Sequence, residues 1–239
     1  MDPLALLPYA LAAAGGRVDG HDVTALVAAG VTLLQRSAPL VRALAGRRSA
    51  VLLPPGAAWL VALAASDGRA MVVLDPRDVA ASGTPGAPPA TQLEPTLEAT
   101  LSSTLKAHDI GAVFTNRALL PLMPPDVPYV LLDDAPRRAR VCANGRDSDV
   151  DLGTHFALDL IGDTNGEGSP EECLRLARNG EVLTHADILG AGRSAMRELR
   201  LTPVHRTAWP AVPASLEQFA HGVVAPLLVG GVVETGGPA

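Results

Sequence analysis

Between residues 50 and 76 the chain alternates twice between a short apolar run and a breaker. Ala50 to Leu53 is a buried strand that leaves into Pro54-Pro55-Gly56. Ala57 to Ser66 reads as a helix, and Ala70 to Leu74 as a second strand closed by Asp75-Pro76. Strand, loop, helix and strand within roughly thirty residues is a right-handed crossover unit, which places its two strands parallel. Few other arrangements bury such runs, so this unit sets the class as α/β: a mostly parallel sheet with helices on both faces.

The same alternation extends both ways. Thr24 to Leu44 repeats apolar residues at three- and four-residue spacing, with Asp22 or Thr24 as a cap and Gly46 as a stop. Pro39 inside it implies a kink or break. Val79 to Pro95 is rich in Pro, Gly, Ala, Ser and Thr and reads as a surface loop. Leu97 to Ala107 resumes helical spacing; Ala112 to Thr115 and Tyr129 to Leu132 are strands, and Asp133 to Asp151 is a polar link. Phe156 to Ile161 is a further apolar run, followed by the conspicuous loop Gly162 to Ser169. Thr184 to Leu199 is helical with Thr184 as its cap. Thr207 to Trp209 is a strand, Leu216 to Leu228 a helix, and Gly231 to Glu234 the last strand.

Composition fits a core of small aliphatic side chains: 48% of residues are hydrophobic but only 3% aromatic. Trp59 and Trp209 are expected as core anchors. A net charge of −6 and the absence of a basic cluster beyond Arg47-Arg48 and Arg137 to Arg140 argue against nucleic acid as a partner. The apolar runs Leu4 to Ala14 and Val223 to Val233 are too short to span a bilayer. Asp2 replaces the positive charge of a signal peptide. Cys142 and Cys173 make no framework and read as free thiols, so the chain is expected to be cytoplasmic, without a membrane partner.

In order and spacing these segments resemble the start of the adenylate-forming superfamily, which holds acyl-CoA synthetases, luciferases and peptide-synthetase adenylation domains. Val41 to Gly46 is similar to the end of that family's early helix, and Ala50 to Gly56 to the strand and turn after it. Gly68 to Pro76 resembles the next strand. Val182-Leu183-Thr184-His185 is similar to the phrase after the family's phosphate loop, and Pro213 to Gly231 to a later helix. The likeness covers most of residues 23 to 235 and implies one truncated AMP-binding-like domain over 1–239, with a subdivision near 134–155.

The resemblance implies that the phosphate loop lies at Gly162 to Ser169, where Gly162, Thr164, Gly166 and Ser169, with Thr184 beyond, are the nucleotide-binding candidates. The family's loop is a Thr/Ser/Gly run ending in Pro-Lys-Gly; here Asp163 and Glu167 intrude and Pro170 leads to Glu171-Glu172. A carboxylate about 4 Å from a phosphate oxygen costs on the order of 1 to 4 kcal/mol. Glu172 to Glu181 reads as an insertion between this loop and Val182. The only lysine is Lys106, and the family's later Thr-Glu segment, ribose-binding Asp and terminal Lys are absent.

Other chemistry finds no support. No Gly-x-Ser-x-Gly elbow or dinucleotide glycine motif occurs, and six histidines show no paired metal-ligand spacing. No catalytic or metal-binding residue is assigned. His185 with Asp187 reads as part of a helix start, and His221 as a helix-face residue that the resemblance puts near a pocket. The expected function is a non-catalytic relative acting as a binding or assembly module. It would need no cofactor and would partner with a second copy, another protein or a small-molecule ligand. Two alternatives stand beside it: one subunit of a split AMP-forming ligase that uses ATP, and a generic Rossmann-like domain. Any ligand is expected at the loops after Leu53, Leu74, Thr115 and Ile161.

Overall fold

The computed structural model describes residues 3–67, 69–77, 94–133, 137–153, 158 and 168–236. The amino-terminal apolar run forms a 3-10 turn, Pro3–Ala5, and helix α1, Leu7–Ala14, which buries Leu7, Ala10 and Leu11. β1 (Arg17–Val18) and β2 (His21–Asp22) make a tight hairpin. Asp19 and Gly20 turn it with φ values of 49° and 80°, the two positive angles a type I′ turn demands.

The single helix expected over Thr24 to Leu44 is two. α2 covers Val23–Arg36 and α3 Ala38–Leu44, with 90° between them. Pro39 lacks an N–H for the helix ladder, and Ser37 Oγ accepts from Leu40 N at 3.3 Å, so a new helix starts where the old one stops. Asp22 holds the position before α2, but its carboxylate takes Arg17 Nε rather than capping the helix.

β3 (Arg48–Val51), α4 (Ala57–Ala65) and β4 (Met71–Val73) form the expected crossover unit. α5 (Glu94–Ala107), β5 (Ile110–Thr115) and β6 (Tyr129–Leu132) follow. The expected loop at 79–95 lies outside the described residues up to position 93. The polar link is a correction: it contains a hairpin of β7 (Arg138–Ala143) and β8 (Arg146–Asp151), turned by Asn144 and Gly145 at φ 53° and 68°. The expected strand Phe156 to Ile161 lies outside the described residues except Leu158, which packs against the core without regular structure.

The expected insertion is also corrected. β9 (Glu172–Leu176) and β10 (Val182–Thr184) form an antiparallel arm of the main sheet. α6 (His185–Glu198) follows, then β11 (Arg206–Ala208). The expected helix Leu216 to Leu228 has three parts: α7 (Leu216–Phe219), a π-helical turn (Ala220–Val224) and α8 (Ala225–Leu228), ahead of β12 (Val232–Glu234).

The strands make an eight-stranded sheet, β10-β9-β4-β3-β5-β6-β7-β8, and a four-stranded one, β11-β12-β1-β2. The run from β9 to β6 is parallel throughout; antiparallel arms finish the large sheet at both margins. Alternate residues feed two cores. Val51, Leu53, Met71 and Phe114 join one, while Ala50, Leu52, Val72 and Val113 join the other with Leu101 and Leu105 of α5. All nine residues of α4 are buried, so this helix lies inside the protein. Gly30 of α2 is why α2 can lie against it so closely: a Cβ there would stand 2.5 Å from the Val61 carbonyl oxygen. Among the described residues no single helix is long and apolar enough to cross a membrane.

Candidate functional site

β9 carries the phrase Cys173-Leu174-Arg175-Leu176, whose apolar members are buried beside β4. Glu172 receives Arg175 through both oxygens at 2.8 and 3.0 Å, and Arg48 stands 3.5 Å away. The strand ends in a turn from Ala177 to Glu181. Gly180, at φ 73°, donates to the Leu176 carbonyl at 2.9 Å, and Leu176 N donates to Glu181 O at 2.9 Å. Asn179 Oδ1 accepts from Glu181 N at 3.0 Å, which closes the turn on itself. Thus Val182–Thr184 is entered directly from β9, not from the loop at 162–169.

Thr184, a nucleotide-binding candidate, is committed to α6. Its Oγ1 accepts from Asp187 N at 3.0 Å, while its own N–H donates to Asp187 Oδ2 at 3.1 Å, a full capping box. The hydrogen bonds from Thr184 hold the Asp187 carboxyl below its ordinary range, against a small opposing effect of burial. The expected helix-start role of Asp187 is therefore as read.

His185 is elsewhere: it is 1% exposed, and its Nδ1 accepts the Leu7 N–H of α1 at 3.0 Å.

Ser169 is buried beside the same junction. Its N–H donates to Ala5 O at 2.8 Å, its carbonyl accepts from Ala186 N at 2.9 Å, and its hydroxyl accepts from Glu171 N at 3.3 Å. Gly168 lies so close to α6 that a Cβ would be 2.7 Å from Ala186 Cα. Gly162, Thr164 and Gly166, with Asp163 and Glu167, lie outside the described residues. Of the five candidates, Ser169 and Thr184 thus flank the start of α6, each with its polar groups engaged.

Farther along α6 the surface opens. The helix is pressed onto the π-helical turn at Gly192, where a Cβ would stand 2.5 Å from Val224 Cγ1. Beyond that contact a groove of about 420 Å³ runs between α6 and the segment 215–221. Ala191, Ala195, Leu216 and Ala220 give it an apolar lining, and Glu181, Glu198 and Glu217 carry its carboxylates. His221 also lines it, with Nδ1 3.0 Å from the Glu217 carbonyl oxygen. His221 was legible through the family likeness. The three glutamates carry no local sequence signal, because they come from a turn and two helices.

The other concavities serve less well. One of about 510 Å³ lies at the start of α2, where Asp22 is already paired with Arg17 at 2.9 Å. Another of about 240 Å³ rests on Trp209 and Phe219. Those two rings and Trp59 form the main aromatic cluster, with centroids 5.6 to 6.5 Å apart. The tryptophans are core anchors, as expected. Both cysteines are free; burial pushes the Cys173 thiol well up, and burial also raises that of Cys142.

No protein-family model matches the chain, and no curated protein matches it in sequence. Solved structures do match. The Mycobacterium tuberculosis fatty acyl CoA synthetase aligns with a TM-score of 0.61 at 12% identity, over 98% of this chain and 45% of that one. CmiS6 aligns at 0.59 and 14%, over 99% and 57%. The nonribosomal peptide synthetase FmoA3, in its alpha-methyl-L-serine-AMP bound form, aligns at 0.59 and 17%, over 100% and 25%. The chain therefore has the mixed α/β fold found in adenylate-forming enzymes. It spans between about a quarter and just over half the length of these relatives.

Proposed function

We propose that this chain is a non-catalytic relative of the AMP-dependent acyl-CoA synthetases and ligases. It acts as a binding module and holds a small ligand in the groove between α6 and segment 215–221. The observation that carries this reading is the turn Ala177–Glu181. It stands where β9 enters Val182–Thr184 and the capped helix, the phrase that resembles the one after the family's phosphate loop. Adenylation requires cations around the transferring phosphorus and a backbone cradle for the polyphosphate. The turn offers one basic residue, Arg178, beside one acidic residue, Glu181, and its amides at Gly180 and Glu181 already donate within the turn. Thr184 and Ser169 have likewise given their hydroxyls to local backbone.

Calorimetric titration of ATP and AMP tests the reading. Neither nucleotide binds the natural chain up to about 1 mM, the range of a dissociation free energy near 4 kcal/mol. Saturable ATP binding by the natural chain, or pyrophosphate exchange with any acid in a broad panel, overturns it.

A further inference from the structure

We infer that the groove between α6 and segment 215–221 takes an organic cation, a primary ammonium group on a short aliphatic body. This rests on the binding reading above and adds the ligand's charge and shape. A volume of about 420 Å³ lies within the range of small-molecule clefts, and the lining of Ala191, Ala195, Leu216 and Ala220 suits methylene groups.

The charged groups on the groove are all of one sign. Glu181, Glu198 and Glu217 line it, and neither lysine nor arginine does. The basic residues of α6, Arg193 and Arg197, are off this lining; Arg197 Nε donates to the Arg193 carbonyl at 3.2 Å.

Two further observations point the same way. Glu198 is the last residue of α6, where the helix's terminal carbonyls already carry partial negative charge. Arg197 in the same last turn answers that charge from off the groove's lining, so Glu198 adds to the negative potential on the groove side. His221 supplies the second. Its Nδ1 lies 3.0 Å from the Glu217 carbonyl, which can only accept, so Nδ1 carries the proton. In the neutral ring Nε2 is then an acceptor, suited to an ammonium N–H and not to a carboxylate. An acid substrate would meet three like charges here.

Calorimetry with n-hexylammonium, hexanoate and n-hexanol as probes tests this directly. Hexylammonium binds, with affinity that falls as salt is raised; the other two bind far more weakly. A Glu198→Gln, Glu217→Gln double variant, with unchanged circular dichroism, weakens hexylammonium about tenfold. Ser194→Trp, an exposed substitution on the groove wall, removes the binding.

Hexanoate or hexanol binding as tightly as the amine overturns the cation inference while the groove still serves as a binding site. No heat from any probe sinks both readings. Binding that survives Ser194→Trp puts the amine elsewhere and ends the inference. ATP binding beside an intact amine response would instead unseat only the non-catalytic reading.

Discussion

The backbone N–H of Leu7 donates to Nδ1 of His185 at 3.0 Å, joining residues 178 positions apart inside the protein. Leu6, at the cap position of α1, offers no side-chain acceptor, so the imidazole of a distant helix takes one of α1's orphan donors. His185→Leu leaves that N–H buried and unsatisfied. The expected cost is about 1 to 3 kcal/mol, read from the urea midpoint. Amide exchange in α1 rises with it, whereas a substitution of similar size at exposed Val204 changes neither.

The capping box at the start of α6 gives stability a known pH direction. Hydrogen bonds from Thr184 depress the Asp187 carboxyl, so its contribution is complete above the ordinary aspartate range near pH 3.8. It is lost as pH falls through the lower folded-state value. Thr184→Ala destabilises the protein by about 1 kcal/mol at neutral pH. Asp187→Asn flattens the acid limb of the stability curve between about pH 5 and 3. An unchanged acid limb in that variant would show that other carboxylates set it.

Gly30 is a packing requirement rather than a flexible point. A Cβ would meet the Val61 carbonyl at 2.5 Å and Ala64 Cβ at 2.6 Å. Alanine raises helix propensity by about 1 kcal/mol at an exposed helix site. Here Gly30→Ala lowers stability by about 1 to 3 kcal/mol, because two buried helices must separate. The melting temperature reports the sign: a rise would mean that α2 and α4 are not so closely apposed.

Tyr129 faces Cys142 across the β6–β7 ladder. A hydrogen bond with Cys142, helped by partial burial, pushes its phenol up to about 12. A raised value means that its share of stability is whole below the ordinary tyrosine range near 10 and fades as pH climbs through 12. Burial raises the Tyr9 phenol as well, so ultraviolet titration is made in a Tyr9→Phe background, where Tyr129 ionises late and Cys142→Ala brings it back toward 10. A transition unmoved by that change refutes the cross-strand cause.

Breakers made the centre of the fold legible. Pro54 to Gly56 and Asp75-Pro76 punctuate β3, α4 and β4, Pro39 marks the bend, and Thr184 with Asp187 marks the start of α6. The β7–β8 hairpin was missed although its Asn144-Gly145 turn is a strong signal. Arg138, Arg140, Asp147, Asp149 and Asp151 stand on its solvated face and disguise the two-residue period. β9 hid similarly: Glu172 and Arg175 neutralise each other in the fold, yet in sequence they read as a polar insertion. Of the groove, His221 was visible through the family likeness, while Thr184 belongs to the cap of the neighbouring helix, and Glu181, Glu198 and Glu217 meet only through tertiary packing. The π-helical turn at Ala220–Val224 has no sequence cue that distinguishes it from α-helix.

β8 has one more effect on the molecule. It is the outermost strand of the large sheet, and Asp147, Asp149 and Asp151 are exposed along it. A copy of the same strand arriving to extend the ladder would set carboxylates against carboxylates. Among the described residues, the carboxylates of Asp147, Asp149 and Asp151 guard that margin by repulsion, and Arg36 of α2 ties its end by donating to the Asp151 carbonyl at 3.3 Å.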